Sequence, residues 1–163
     1  MPKYVLDSGI DYDFSLLAIS SQESDYQLCI HLNRMLGIEL ERFSPIELKN
    51  KSMKTPLAFS CFMFEDDEDE ENRYVLLANR SMNDVSLVGK PVGLSLFDDE
   101  LAQDMKGFLI PELLQTDYLL LLHTNNHESL AGEIMAKLKK LKFVQGVQNI
   151  DPETLPSKTN LIV

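Results

Sequence analysis

The chain has few cysteines and no long apolar run. Its 163 residues include two cysteines, Cys29 and Cys61, which are too few for a disulfide framework. No window approaches the ~18 apolar residues of a membrane-spanning helix. The N-terminal residues carry acids early and lack an unbroken apolar core, so no secretory signal peptide is expected. We therefore predict a cytoplasmic protein, and its 44% of apolar residues suffice for a globular core.

Positive charge is also scarce. Lys and Arg number 15 against 26 Asp and Glu, which gives a formal net charge of −11. Because phosphate backbones and anionic lipid surfaces attract basic proteins, neither nucleic acid nor a membrane surface is an expected partner. Seven consecutive acids from Glu65 to Glu71 supply much of this charge, so the acidity is largely a local feature.

The short motifs that identify common catalytic sites are missing. The sequence contains no G-x-S-x-G turn, no phosphate-binding loop and no G-x-G-x-x-G fingerprint. Neither cysteine lies in a setting typical of a reactive thiol. We therefore predict a non-catalytic regulatory or binding module, and no cofactor is expected.

Two segments have the spacing of amphipathic helices. The first has an apolar stripe of Leu28, Cys29, Leu32, Met35 and Leu36. Its start is predicted near Ser20 or Ser21 and its stop at Gly37. The second has an apolar stripe of Leu130, Ala131, Ile134, Leu138 and Leu141. Asn125 followed by Glu128 resembles a capping box, which predicts the start of this second helix.

Segments rich in strand-forming residues flank both helices, so the chain contains two strand–helix–strand units. These strands are predicted at 14–20, 38–43, 118–124 and 143–150. Between the units, residues 56–64 and 73–80 predict a hairpin whose tip is the acidic segment 65–72. A short helix is expected near 98–105, the rest of 81–107 is not placed, and 151–163 is predicted as an extended C-terminal tail.

This order of elements favours an α+β fold in a single domain, residues 1–163. Two strand–helix–strand units around one mainly antiparallel sheet predict a two-layer sandwich with both helices on one face. The second unit resembles half of a ferredoxin-like or ACT-type regulatory domain, with the hairpin as an insertion. The sequence leaves the order of the strands open.

A proline and an acid–tyrosine pair stand directly before the most apolar strand. Pro111 has no N–H to donate to a sheet, so the strand is expected to begin after it. Asp117 is predicted to accept backbone N–H bonds at the strand entrance, and Tyr118 to hold its ring at the edge of the core. The alternative is a paired acid–base site of Glu112 and Asp117, although a bend separates the two positions.

These residues resemble a known signature. The pattern of Ile110, Pro111, Glu112, Thr116, Asp117 and Tyr118 is similar to that of the IPExxxVDY family, a set of bacterial proteins named for the motif. Thr116 replaces the family's valine, which keeps the β-branched shape and adds a hydroxyl. The resemblance covers nine residues, and it implies no activity, cofactor or catalytic residue.

The segment from His123 to Ser129, termed the junction, has the chemistry most typical of a site. The candidate ligand-binding residues here are His123, Asn125, Asn126, His127 and Glu128. They gather at a helix N-terminus, where free N–H groups favour anions. Together with Asp117 they support the alternative function, a small acid–base enzyme. Ordinary helix capping with a half-buried histidine is the simpler explanation of the same residues. No metal site is expected, because the histidines span strand and helix without a nearby cysteine.

Partners are predicted from two further features. The acidic tip lacks the turn glycine and spaced glutamate of a calcium loop, so it is interpreted as solvated, with docking of a basic protein partner or weak binding of a divalent ion as the alternatives. Strand alternation places Tyr118, Leu120 and Leu122 on one face and Leu119 and Leu121 on the other. Two helices cover only one of these apolar faces, so residues 81–107, the tail or a second subunit must cover the other, and a homodimer is expected.

The acidic tip yields the first prediction. Replacing Glu65–Glu71 by a short Asn-Gly turn should change the free energy of unfolding by less than ~1 kcal/mol, because solvated surface segments contribute little to stability. Urea unfolding measures this change. A much larger loss would mean that the acids hold a metal ion or a buried basic group.

Overall fold

The computed structural model describes residues 12–85 and 106–163. The short helix predicted near 98–105 lies outside the described residues, as do residues 1–11. In the part that is described, no helix is long and apolar enough to cross a membrane.

The main sheet has six strands, all paired antiparallel. Its members are β1 (Ser15–Ser21), β2 (Glu41–Leu48), β3 (Leu57–Glu65), β4 (Arg73–Ala78), β7 (Tyr118–His123) and β8 (Val144–Ile150). Their order across the sheet is β2-β3-β4-β7-β1-β8. Two short strands, β5 (Arg80–Asp84) and β6 (Lys106–Phe108), form a separate antiparallel pair. The α+β class and the mainly antiparallel sheet are thus confirmed.

Helix α1 (Asp25–Leu36) follows β1, and helix α2 (His127–Leu138) follows β7. Ser24 caps α1 by accepting the N–H of Gln27, and Gly37 ends it in a left-handed conformation with φ 65°, which glycine adopts without strain. The predicted capping box of α2 is wrong. Asn126, not Asn125, occupies the cap position, and its side chain makes no capping hydrogen bond because its backbone is not extended there.

Both faces of the sheet are buried within one chain. The helix face packs against α1 and α2 through Leu17, Ile19, Leu28, Leu32, Leu76, Leu120, Leu122 and Ile134. The opposite face forms a second core of Leu16, Phe59, Cys61, Val75, Leu77, Leu119, Leu121, Leu109, Ile110, Leu155 and Leu161. Because loop residues after β6 and the C-terminal residues cover Leu119 and Leu121, their burial does not require a second subunit. Whether the protein forms a homodimer stays a prediction.

The C-terminal residues differ from the extended tail that was predicted. Two 3-10 helices, Pro152–Thr154 and Lys158–Leu161, turn the chain back over the sheet. Asp151 caps the first by accepting the N–H of Glu153, which sequence spacing did not suggest. This folding places Leu155 and Leu161 in the second core, where both are buried.

Several strand boundaries also differ from prediction. β2 begins at Glu41 instead of residue 38, and its pairing with β3 shifts between Phe43 and Ile46, around Pro45. Proline cannot donate to a ladder, so an edge strand accommodates it at such an irregularity. The strand predicted at 73–80 is interrupted at Asn79, where β4 ends and β5 begins.

Asn79 interrupts the strand because its side chain is fully buried and bonded to a different segment. Its Oδ1 accepts the N–H of Ile110 at 2.8 Å. Its Nδ2 donates to the carbonyls of Leu113 and Thr116 at 2.9 and 3.0 Å. The backbone of Asn79 bonds the same segment, donating to the carbonyl of Asp117 and accepting the N–H of Leu109. One side chain therefore satisfies the buried backbone groups of the loop that leads into β7.

The second prediction concerns this side chain. Asn79→Ala should lower the free energy of unfolding by about 3 kcal/mol or more, because each buried group left without a partner costs about 1–3 kcal/mol. Urea unfolding of Asn149→Ala, the same change at an exposed position of β8, is the matched control and should stay within about 0.5 kcal/mol of wild type. Equal losses in the two variants would contradict the role given to Asn79.

Candidate functional site

A cleft of about 720 Å³ opens at the end of the sheet where β1 leaves and β7 enters. The turn from β1 into α1 forms one wall, and the start of β5 forms another. Residues that matter for its chemistry are Glu23, Asp25, Ser60, Arg80, Asp117 and Tyr118. We term it the motif cleft, because Asp117 and Tyr118 belong to the family-like motif.

Asp117 holds the wall of the motif cleft in place. Its Oδ2 accepts the backbone N–H of Ser21 at 2.8 Å, and its Oδ1 pairs with Nε of Arg80 at 3.1 Å. The prediction that Asp117 accepts a backbone N–H is confirmed, although the donor comes from β1 and not from its own turn. Both carboxylate oxygens are engaged, so Asp117 acts as a structural link between strands.

Tyr118 ties β7 to the start of α1. Its hydroxyl donates a short hydrogen bond to the carbonyl of Glu23, while its ring packs in the helix-face core. Burial, together with the carboxylates of Asp25, Asp117 and Glu23, raises the pKa of Tyr118 to about 12. The phenol therefore stays protonated at neutral pH, and the three nearby carboxylates make the electrostatic potential at this site negative.

The guanidinium of Arg80 already has two partners within the chain. Besides its pairing with Asp117, its guanidinium lies 5.4 Å from the centre of the Phe108 ring. This cation–π contact fixes the side chain over β6. Arg80 therefore compensates Asp117, and the carboxylates of Glu23 and Asp25 have no cationic partner among the described residues.

Ser60 is the unexplained group of the motif cleft. Only 2% of this residue is exposed, and its hydroxyl has no hydrogen-bond partner within residues 12–85 and 106–163. Leaving a buried hydroxyl unpaired costs about 1–3 kcal/mol, and such groups call for an explanation. Ser60 lies on β3 two positions before Phe62, so strand alternation places both on the helix face.

The first three motif residues lie away from the motif cleft. Ile110 is fully buried in the second core, directly before exposed Pro111. Glu112 accepts the backbone N–H of Ser157 at 2.8 Å and so fastens the C-terminal segment. Glu112 and Asp117 thus bind different partners, and the structure does not assemble them as an acid–base pair.

The junction lies at the other end of β7. His123 and Asp117 are separated by the whole strand, about 20 Å at the rise of an extended chain. The enzyme site that combined Asp117 with the junction residues is therefore not formed. Residues that are close in sequence are far apart here, because the two ends of a strand lie at opposite ends of the sheet.

His127 is the most connected residue of the junction. Its Nδ1 lies 2.8 Å from Oγ of Ser15, and its Nε2 lies 3.0 Å from Oδ1 of Asp13. A cleft of about 610 Å³ adjoins this chain of three residues, and Glu128 also lines it. Asn125 and Asn126 are exposed and flank this arrangement without joining it.

His123 is held between an aromatic ring and a cation. Its ring packs against that of Phe14 at a tilt of 40°, with 4.8 Å between the ring centres, and Arg73 approaches its Nε2 at 3.4 Å. Burial, together with the charges of Arg73 and His127, lowers the pKa of His123 to about 4. The ring is therefore neutral at pH 7 and can accept a hydrogen bond from Arg73.

The acidic tip reaches the same end of the sheet as the junction. Glu65, Glu70, Glu71 and Asp13 line a third cleft, of about 550 Å³, together with Arg73 and His123. In the described part of the chain, no group of three or more His, Cys, Asp or Glu side chains has a geometry that could hold a metal ion.

Sequence inspection missed Ser60, Asn79 and Arg80. A lone serine in the middle of an apolar strand was a usable signal for Ser60. The pair Asn79–Arg80 at the end of a predicted strand was a weaker one, since its partners lie some thirty or more positions later in the sequence.

No family model, curated protein or solved structure matches the chain.

The third prediction follows from His123. Its pKa of about 4 in the folded state lies below the value of about 6.5 expected when unfolded. Between these two pH values His123 binds a proton in the unfolded chain but not in the folded chain. The free energy of unfolding therefore rises with pH across this window. Acidifying from pH 7 to pH 5 should cost about 2 kcal/mol through His123.

Urea unfolding at both pH values checks this expectation. The variant His123→Gln should lose about 2 kcal/mol less than wild type on acidification. His31→Gln, the same change at the histidine that stacks on Phe143, is the matched control. An unchanged pH dependence in His123→Gln would show that other groups dominate.

Proposed function

We propose that the protein is a non-catalytic small-molecule-binding module whose ligand occupies the motif cleft. The single observation that carries this proposal is Ser60, a residue that lines the cleft and whose buried hydroxyl has no partner among the described residues. Ligand sites combine an apolar surface with a few placed polar groups, and this cleft has both kinds of wall.

Binding is favoured over catalysis because the motif-cleft groups are already committed. Asp117 is bonded on both oxygens, and Tyr118 donates its proton to a backbone carbonyl. The phenol of Tyr118 stays protonated because its pKa is raised to about 12, and both oxygens of Asp117 already accept structural hydrogen bonds, so neither side chain is poised as a general base. Their fixed positions suit a preformed binding site.

We propose a ferredoxin-like or ACT-like core for the fold. In support, α2 connects β7 to β8, and β1 lies between these two strands. The hairpin of β3 and β4 then lies between β7 and β2, where it widens the sheet. Membership of the IPExxxVDY family, a bacterial origin and a cytoplasmic location are part of the same proposal, and they rest on the motif and the composition.

A small acid–base enzyme is the second candidate, now centred on His127. The observation in its favour is the contact of His127 with both Ser15 and Asp13 beside a cleft. Against it, both ring nitrogens are occupied and Ser15 is only 6% exposed. Turnover lost in His127→Gln and kept in a variant with a blocked motif cleft would favour this candidate.

We propose two partners, a second copy of the chain and a basic protein. Light scattering at micromolar concentration tests whether the chain forms a homodimer. A basic protein partner at the acidic tip is supported by the cleft beside the tip, where the described lining residues include four carboxylates and one arginine. Loss of a captured partner on replacing 65–71 tests it.

The fourth prediction tests ligand binding. In a ligand-observed NMR screen of a small-molecule library, compounds should bind wild type and be lost in Gln22→Trp, where the indole fills the mouth of the motif cleft. Gln27→Trp makes the same change at an exposed position of α1 outside the lining, and it should keep binding. Hits that survive in Gln22→Trp, or no hits at all, would overturn the proposal.

A further inference from the structure

We propose that the ligand of the motif cleft is a small organic cation, held by its ammonium group against the carboxylates of Glu23 and Asp25 and by a hydroxyl or carbonyl against Ser60. This inference rests on the proposed binding function and adds the chemical class of the ligand.

The charge balance of the motif cleft is negative. Among the described residues, three carboxylates and one guanidinium line it, and the guanidinium is paired with Asp117. Glu23 and Asp25 remain without a cationic partner among the described residues, and both are partly buried. Partial burial strengthens a Coulomb attraction because less water screens it. An entering cation is therefore attracted, and an anion is repelled.

The N-terminus of α1 does not reverse this preference. A helix start usually attracts anions through its free N–H groups. Here Ser24 accepts the N–H of Gln27, and Asp25 accepts that of Tyr26. The side chain of Asp25 also adds negative charge in the first turn, which offsets the helix dipole. The two side chains thus take the place of an external anion.

Ser60 supplies an anchor that is independent of the acids. Its hydroxyl can donate one hydrogen bond and accept two, and it uses neither capacity with the described residues. Ala78 and the ring of Tyr118 line the cleft near its polar groups and offer apolar contact. A short carbon chain that carries an ammonium at one end and an oxygen at the other matches these three features.

Two sources offer this chemistry, a free amine and the lysine side chain of another protein. Both present an ammonium on a flexible apolar stem. Comparing 4-amino-1-butanol with Nα-acetyl-lysine amide separates them, because the second compound carries the backbone that a protein would bring. Tighter binding of the lysine compound assigns the ligand to a protein, and tighter binding of the amino alcohol assigns it to a free amine.

The experiment uses three compounds that share four carbons and a terminal hydroxyl and carry a cationic, a neutral or an anionic group at the other end: 4-amino-1-butanol, 1,4-butanediol and 4-hydroxybutyrate. Each is titrated into the full chain at pH 7 while the NMR signals of the Met82 methyl group and the Ser60 amide are followed. The ammonium compound should shift these signals, and the diol and the anion should not. Added salt should weaken binding, since it screens the carboxylates.

Two variants locate the contacts. Glu23→Gln should weaken binding of the ammonium compound about fivefold or more, on the scale of one partly screened charge pair. It keeps the backbone carbonyl that Tyr118 bonds, so the fold is retained. Glu133→Gln, the same change on the exposed face of α2, is the matched control and should bind like wild type.

Ser60→Ala gives a second readout that a purely structural serine would not produce. It removes a buried hydroxyl without a partner, so the Tm of the free protein should stay equal or rise, while binding weakens. A drop in Tm together with unchanged binding would assign the hydroxyl to the fold and overturn its role as an anchor.

The remaining outcomes separate this inference from the function that it extends. Equal binding of the diol, or tighter binding of the anion, overturns the cation class and leaves the binding module standing. The same holds if none of the three compounds binds while a library compound occupies the motif cleft. If no compound of any class binds there, the inference and the proposed function both fail.

Discussion

The buried amide of Asn79 is the interaction on which the shape of the candidate site depends. The side chain of Asn79 forms hydrogen bonds with backbone groups of Ile110, Leu113 and Thr116, in the loop between β6 and β7. Its backbone N–H donates to the carbonyl of Asp117. That loop thereby positions Asp117 to bond Ser21 of β1 and Tyr118 to bond Glu23, just before α1. A carboxylate and a phenol can serve as rigid walls only because the backbone before them is fixed. The chemistry of the motif cleft is thus built on a side chain that never reaches it.

The same loop explains the apolar character of β7. Ile110 and Leu109 lie over one face of the sheet, and the helices lie over the other, so each leucine of the strand enters a dry environment. The motif therefore has two structural roles within nine residues. Ile110 belongs to the second core, and Tyr118 closes the core on the helix face beside the motif cleft. A proline at the bend suits both roles, because it prevents the strand from starting too early.

Local sequence predicted the elements well where periodicity was strong. The stripes of α1 and α2, Gly37 as a helix stop and the hairpin around the acidic tip all follow from spacing or from turn chemistry. The cap of α2 and the interruption at Asn79 did not, because a partner distant in sequence decided the backbone there. The site was harder still. Asp117 was identified, but Ser60 and Arg80 enter the motif cleft only through the strand order, which pairing between remote segments determines.

The position of β1 has a consequence for the synthesis of the chain. The strand lies between β7 and β8, and Leu16 pairs with Leu121 on one side and with Ile150 on the other. Its hydrogen-bond partners lie about a hundred or more positions later in the chain, so they leave the ribosome long after β1 does. Until then the apolar side chains of β1 have no native sheet to join, and contacts between such distant segments form slowly. A nascent chain that has not yet reached β7 is accordingly a state that exposes apolar surface to a chaperone.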